Sequence, residues 1–261
     1  MCPHGAKLLA GEGGLLEKSP IIAHVLLVES SDGLILVDTG FGTGDVQNPG
    51  RLGQPFRALM RPNPTMAETA IEQIKAMGRD PADVRHVIVT HLDLDHAGGL
   101  SDFPGAQVHV FKPELEFAQS GALKAKLRYI PDQWAHGPNW APHEVEGDDW
   151  FGFESVHPIP GLDDEVALVP LVGHSKGHSG IAIRGGDGWL LHCGDAFFFR
   201  GEIETPRRCP RGLRVFQNIT QHGRKARTQN QERLRELARE HGGEVRLICA
   251  HDPVMFEALV D

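Results

Sequence analysis

Residues 90–99 read THLDLDHAGG, so that two histidines and two aspartates fall between His91 and His96. The apolar run VIVT (87–90) comes directly before them and predicts a buried strand that ends where these side chains begin. Neutral imidazole and carboxylate groups are ligands that Zn²⁺, Fe²⁺ and Mn²⁺ accept in proteins. The run therefore predicts a metal-binding turn, and the fold must bring further ligands to it from elsewhere in the chain.

The same pattern, an apolar strand followed by a histidine or an aspartate, recurs three times. His174 follows LVPLV and Gly173, Asp195 follows WLLHC and Gly194, and His251 follows LICA. Taken singly, such a residue is more often a structural hydrogen-bonding group or a turn former than a metal ligand. Because strand ends of one sheet lie along one edge, the four occurrences together predict a shared site built from residues distant in sequence.

Hydrophobic runs and turn residues predict that strands and helices alternate along the chain. Residues 21–29 and 34–38 are predicted to form a hairpin, and a second strand pair, 181–184 with 189–193, repeats this layout weakly. Further strands are predicted at 84–90, 107–111, 166–172 and 245–250, and helices at 65–77, 113–126 and 229–241. The alternation indicates an α/β or α+β class. Residues 129–162, rich in Pro, Trp, Gly and Asp, are interpreted as a loop-and-hairpin segment that forms a lid or pocket wall.

Composition limits the classes of protein and partner. The chain has 261 residues, 40% of them hydrophobic and 23% charged, which is typical of one large globular domain or two small ones. Its formal net charge of −9 disfavours a nucleic-acid partner, because such partners are held by basic surfaces. No signal peptide or membrane-spanning run is recognisable, and the four cysteines lack C-x-x-C spacing, which indicates free thiols. We therefore expect a cytoplasmic protein with no membrane partner.

Four motifs together resemble those of the metallo-β-lactamase-fold hydrolases. In chain order they are THLDLDHAGG, GHSKGH, HCGDA and CAHD, and they are similar to the family's H-x-H-x-D-H, Gly-His, bridging Asp and final His. LVDTGFG (36–42) is similar to the family's L-x-D-T-G, whose aspartate supports the site and is Asp38 here. The resemblance covers roughly residues 20–252. It implies an α+β fold, the four-layer αβ/βα sandwich, as a single domain over residues 1–261.

The resemblance also implies a site with two divalent metal ions. Carried over position by position, one ion is held by His91, Asp93 and His174, the other by Asp95, His96 and His251, and Asp195 bridges both. His178, four residues after His174, is interpreted as a residue that supports the site through a ligand. Zinc is the favoured metal.

Two departures from the family pattern bear on the metal and the reaction. Asp93 stands where the family has its second histidine, and two imidazoles with one carboxylate also suit non-haem iron, so iron or manganese is an alternative at this position. The overall layout is most similar to the N-acyl homoserine lactonase and glyoxalase II-like branch, whose lactonases carry a tyrosine shortly after the bridging aspartate. Here Asp195 is followed by Ala and three Phe, and the only tyrosine is Tyr129.

The favoured function is a metal-dependent hydrolase of an ester, lactone or thioester. A metal-bridging hydroxide attacks the carbonyl, and Asp95 or Asp195 passes the proton to the leaving group. The partner is thus a small-molecule substrate, and a homodimer is compatible with the resemblance. Two alternatives are an iron-dependent oxidoreductase of the same fold and a catalytically weak relative that binds ligands.

Overall fold

The strands of the chain form two sheets, one in each of two compact units. In the computed structural model, which describes residues 1–159, 161–162, 166–186 and 188–260, the first unit comprises Met1–Cys2 and Ala23–His143. The second unit comprises Pro3–Ile22 and Glu144–Asp261. No helix among these described residues is long and apolar enough to cross a membrane.

The bounds of the elements are as follows. The strands are β1 Leu26–Ser30, β2 Gly33–Val37, β3 Val84–Ile88, β4 Gln107–Phe111, β5 Asn139–His143, β6 Asp148–Trp150, β7 Phe153–Pro158, β8 Val166–Pro170, β9 Ser179–Gly185, β10 Gly188–His192 and β11 Val245–Ile248. The α-helices are α1 Ala6–Leu9, α2 Thr43–Gln47, α3 Gln54–Met60, α4 Ala70–Ala76, α5 Lys112–Gln119, α6 Leu123–Arg128, α7 Arg211–Thr220, α8 Arg224–His241 and α9 Pro253–Val260. Short 3-10 helices lie at Pro49–Leu52, Met66–Glu68, Pro81–Asp83, Leu100–Asp102, Pro131–Trp134 and Arg200–Glu202.

The first sheet places the ends of two parallel strands side by side. Its order is β1-β2-β3-β4-β5, with β1 antiparallel to β2 and the other neighbours parallel. Apolar side chains such as Ile35, Val37 and Val87 are fully buried, as expected for parallel strands covered on both faces. Because β2 and β3 end at the same edge, Asp38 lies beside the residues that follow Ile88, and the Asp38 amide donates to the Ile88 carbonyl at 3.0 Å.

The second sheet brings three strand ends to one edge. Its order is β11-β10-β9-β8-β7-β6, with β10 parallel to β11 and β9 antiparallel to both β8 and β10. Strands β8, β10 and β11 therefore run in the same direction. The chain leaves their ends toward His174, Asp195 and His251, so the sheet itself gathers these three residues.

Most predicted elements are confirmed, and the differences have local causes. Residues 34–38 and 107–111 closely match β2 and β4, and the predicted hairpin is the antiparallel pair β1–β2. The single helix predicted at 113–126 is wrong, because Gly121 at φ +70° separates α5 from α6. Residues 129–162 contain the predicted hairpin, β6–β7, but also strand β5, which the loop interpretation missed. The single domain and the lid role stay predictions.

Candidate metal centre

In the first unit, the turn after β3 packs its two histidines against each other. The rings of His91 and His96 are buried, and their centroids are 4.1 Å apart. His91 Nε2 lies 3.3 Å from Asp93 Oδ2, and Asp95 and His96 also offer ligand atoms within 4.8 Å of one another. The four side chains that the sequence analysis selected in this turn are therefore brought together.

Asp38 orients both histidines of this turn. Its carboxylate is buried and accepts hydrogen bonds from the Thr90 amide at 2.7 Å, the Thr90 hydroxyl at 2.9 Å and His96 Nδ1 at 2.8 Å. Because the single hydroxyl proton of Thr90 goes to Asp38, the Thr90 oxygen accepts from His91 Nδ1 at 3.0 Å. Both imidazoles thus carry their proton on Nδ1 and present Nε2 as an acceptor, which is the form that binds metal.

In the second unit, Asp195 lies between two histidines. Asp195 Oδ2 is 3.2 Å from His174 Nε2, and Asp195 Oδ1 is 3.0 Å from His251 Nε2. All three side chains are buried. Each carboxylate oxygen therefore faces a different imidazole, which is the arrangement that a bridging carboxylate requires.

Neighbouring groups fix the orientation of these residues. His178 Nδ1 donates to the Leu171 carbonyl at 3.1 Å, and its Nε2 accepts from the Asp195 amide at 2.9 Å, so His178 positions Asp195 from behind as the sequence analysis predicted. His251 Nδ1 donates to the Ile22 carbonyl at 2.6 Å. Since that carbonyl can only accept, His251 Nε2 faces the Asp195 carboxylate as an acceptor.

Two acceptors that face each other at 3.0–3.3 Å need a cation between them, either a proton on the imidazole or a metal ion. Two ligands of one tetrahedral zinc ion, each about 2.0–2.1 Å from it, lie about 3.3–3.4 Å apart. The His91–Asp93, His174–Asp195 and His251–Asp195 pairs are all within a few tenths of an ångström of that spacing. The donor atoms and their separations therefore fit divalent metal ions.

Arg128 is a residue of this centre that the sequence analysis missed. Its Nε donates to Asp93 Oδ1 and its Nη2 to Asp93 Oδ2, both at 2.6 Å, and the two side chains are 16% and 17% exposed. Burial opposes the charge of Arg128, but the Asp93 carboxylate outweighs it and raises the pKa of the guanidinium above its usual value. No spacing in the sequence relates residue 128 to residue 93, so only the tertiary structure reveals the pair.

Glu114 and Gln133 hold the backbone of the same turn and were also missed. Glu114 is fully buried and accepts from the Leu92 amide at 3.2 Å and from the Tyr129 hydroxyl at 2.8 Å. Gln133 Nε2 donates to the Leu94 carbonyl at 2.9 Å. Burial raises the pKa of the Tyr129 hydroxyl, with Glu114 adding to the effect, so Tyr129 stays a neutral donor to Glu114.

Known proteins that resemble this chain include metal-dependent hydrolases, in agreement with a set of residues that fits metal ions. A family model described as "Metallo-beta-lactamase superfamily" matches residues 19–244. A probable metallo-hydrolase of Mycobacterium tuberculosis is 43% identical over 242 residues, which are 92% of this chain and 78% of that protein. An N-acyl homoserine lactonase of Bacillus thuringiensis is 29% identical over 185 residues, 70% of this chain and 66% of that protein.

A solved structure confirms the predicted fold. It is an N-acyl homoserine lactone hydrolase with the product N-hexanoyl-L-homoserine bound at the catalytic metal center. The superposition has a TM-score of 0.72 at 22% identity and covers 98% of this chain and 92% of that one.

Proposed function

The chain belongs to the metallo-beta-lactamase superfamily, and we propose that it is a dinuclear metal-dependent hydrolase of an ester, lactone or thioester. The observation that carries the proposal is the Asp195 carboxylate, each of whose oxygens faces the Nε2 atom of a different histidine within 3.2 Å. The lactonase relative supports a lactone among the three substrate classes.

The ligand assignment follows the predicted one. His91, Asp93 and His174 would hold one ion, Asp95, His96 and His251 would hold the other, and Asp195 would contribute to both. Zinc suits these nitrogen and oxygen donors best, and iron or manganese is the alternative beside Asp93, where the donors are harder. Bound ions would supply a Lewis acid for the carbonyl and an activated water.

The side chains of the protein divide the remaining work. Both Asp195 oxygens already lie against imidazoles, so proton transfer from the attacking water to the leaving group falls to the Asp95 carboxylate. Tyr129 is excluded as the carbonyl-polarising tyrosine, since its hydroxyl is committed to Glu114. Bound metal ions would therefore supply the polarisation of the carbonyl.

A cavity of about 220 Å³ in the second unit supports a substrate with an apolar group. It borders His251, and its lining combines apolar side chains such as Ile21 and Phe198 with the charged residues Arg200 and Asp252. The Phe198 ring stacks on the His251 ring at 5.1 Å with an interplanar angle of 16°. An acyl chain or an aromatic ring bound in this cavity would pack against its apolar side chains, next to the proposed metal ligand His251.

Metal analysis combined with hydrolysis assays tests the proposal. Protein purified without added metal is expected to contain two zinc ions per chain and to hydrolyse at least one of an N-acyl homoserine lactone, an aryl ester and a thioester. His251→Ala should lose metal and activity together, whereas His136→Ala, a change at an exposed histidine, should retain both. Redox-active iron with oxygen consumption and no hydrolysis would favour the oxidoreductase alternative and overturn the proposal. A folded protein without metal would do so as well.

A further inference from the structure

Asp93 is bound on two sides within the first unit. Arg128 donates to both of its oxygens at 2.6 Å, and His91 Nε2 lies 3.3 Å from Oδ2 on the other side. A carboxylate has about four lone-pair positions, so it can accept two parallel hydrogen bonds from a guanidinium and still coordinate a metal ion. The position that departs from the family pattern is therefore also the one with a cation attached.

Arg128 is itself held in place. It is the last residue of α6, and its guanidinium carbon lies 5.8 Å from the centre of the Tyr129 ring. The Tyr129 hydroxyl is anchored by its hydrogen bond to buried Glu114. Because the Tyr129 ring is fixed and the Arg–carboxylate fork is planar and rigid, the guanidinium stays against Asp93 rather than swinging into solvent.

The pair changes the charge that a metal ion meets at this position. An aspartate alone offers one negative charge, whereas an aspartate paired with an arginine offers a net charge near zero together with a nearby positive group. Attraction between ion and ligand falls accordingly, and repulsion from the guanidinium is added. Partners hydrogen bonded to a metal ligand usually strengthen binding by orienting it, but the positive charge of Arg128 also repels a metal ion, and this electrostatic effect opposes binding at Asp93.

We propose that Arg128 is a positioning residue that fixes the Asp93 carboxylate and weakens metal binding there, which makes this ion the more easily lost of the two. The inference rests on the proposed two-metal hydrolase. It assigns unequal affinities to the two ions from residues of the first unit alone. The ion bound at Asp93 is then the one of the two that exchanges more readily with other metal ions in solution.

Metal titration of the apoprotein tests this inference without any activity assay. Zn²⁺ is titrated against a chromophoric chelator, which yields a dissociation constant for each ion. In Arg128→Met the larger constant is expected to fall roughly 10- to 100-fold, the range that partners of metal ligands usually control, while the smaller constant is unchanged. Arg128→Lys keeps the positive charge but not the bidentate fork and is the charge-matched control, in which the larger constant is expected to stay close to the wild-type value.

Further variants separate the effect of the Arg128 charge on metal affinity from any effect of the substitution on folding. Asp93→Asn combined with Arg128→Met removes the carboxylate as well, so the gain in affinity should vanish. Arg128→Gln can still donate to Asp93 without a charge, and it replaces Arg128→Met in the same titration, with the same expectation, if that variant fails to fold. A Co²⁺ absorption spectrum that changes in Arg128→Met but not in Arg128→Lys would support the assignment to the Asp93 ion.

The outcomes distinguish the inference from the proposed function. The inference is overturned if the larger dissociation constant stays the same or rises in Arg128→Met, or if it falls by the same factor in Arg128→Lys. Either result leaves the hydrolase proposal standing. A wild-type chain that takes up no zinc contradicts the proposed function, and the inference falls with it.

Discussion

At the scale of single residues, Asp38 shows how the backbone and the site depend on each other. It has φ +55°, a left-handed conformation that few residues other than glycine adopt, and its side chain is buried. The conformation turns the carboxylate back toward Thr90 and His96, to which it is hydrogen bonded. The cost of this strained conformation, of order 1–3 kcal/mol, is offset by the hydrogen bonds that orient two histidines.

The substitution Asp38→Asn should lower the metal affinity more than it lowers the free energy of unfolding. The amide replaces one acceptor oxygen by a donor, so either the Thr90 group or His96 Nδ1 loses its acceptor. We expect metal affinity at the His96 position to fall roughly 10- to 100-fold, measured by zinc titration of the apoprotein. Asp102→Asn is the control, since that carboxylate accepts from Thr43, and within the part of the chain that the structure describes no hydrogen bond joins it to a histidine of the site. Equal zinc affinity in Asp38→Asn and the wild type would contradict the role of Asp38.

At the scale of elements, the strand ends could be predicted from the sequence, because each consists of an apolar run and a ligand-type residue that are close together in the chain. Val87 to Thr90, for example, is an apolar run followed by a histidine, and strand β3 ends within this run, at Ile88. Strand β5 was not readable, since its sequence NWAPH contains a proline that argues against a strand. The proline at position 142 is tolerated because β5 is the last strand in the order of its sheet and lies at its edge.

Three histidine side chains on β3, β4 and β5 form a hydrogen-bonded imidazole chain that likewise could not be predicted from the sequence. His86 Nδ1 lies 3.0 Å from His109 Nε2, and His109 Nδ1 lies 2.9 Å from His143 Nε2, while His86 Nε2 is 3.2 Å from Asp32 Oδ2. The three residues are widely spaced along the chain and become neighbours only through strand pairing. Burial, with a smaller contribution from His143 and His86, lowers the pKa of His109 to about 3.

This imidazole chain predicts a loss of stability in acid. The unfolded chain takes up a proton at position 109 near pH 6.5, whereas the folded chain does so only near pH 3, so the free energy of unfolding falls as the pH drops below about 6.5. Urea unfolding between pH 7 and pH 4 should show a shallower pH dependence in His109→Gln than in the wild type. His4→Gln, at an exposed histidine, should keep the steeper dependence. Identical slopes in His109→Gln and the wild type would refute the assignment.

The loop that carries His174 depends on helix α8. Gly173 has φ +135°, and a Cβ atom there would collide with the backbone of Arg227, while the His222 amide donates to the carbonyls of both Gly173 and His174. Gly173→Ala should therefore displace His174, lower stability by about 1–3 kcal/mol and reduce zinc content toward one ion per chain. Gly186→Ala, where a Cβ meets open space, is the matched control. Full zinc content in Gly173→Ala would rule out this dependence.

At the scale of the whole molecule, the sequence was sufficient for the family, the fold and a set of candidate ligands, because every candidate ligand lies in a segment that shortly follows a strand. It was not sufficient for the groups that adjust those ligands. Arg128, Glu114 and Gln133 act on the turn after β3 from two α-helices and a 3-10 helix, and packing rather than sequence spacing places them there. The most specific property of the centre, a carboxylate paired with an arginine, thus appears only in the folded molecule.

Removal of metal should lower the stability of the entire chain. Without ions, the imidazole acceptors of His91 and His251 face carboxylates at 3.3 and 3.0 Å and must take up protons or move apart. An ion present at a hundred times its dissociation constant stabilises the folded state by about 2.7 kcal/mol, which corresponds to a Tm shift of about 5–10 °C at this chain length. Calorimetry in EDTA and then in excess Zn²⁺ should show a loss and a recovery of that size, with Mg²⁺ unable to replace Zn²⁺. Asp195→Asn should remove most of the shift, because Asp195 contacts both histidines of its group. The same Tm with and without zinc would contradict the metal centre as a stabilising part of the molecule.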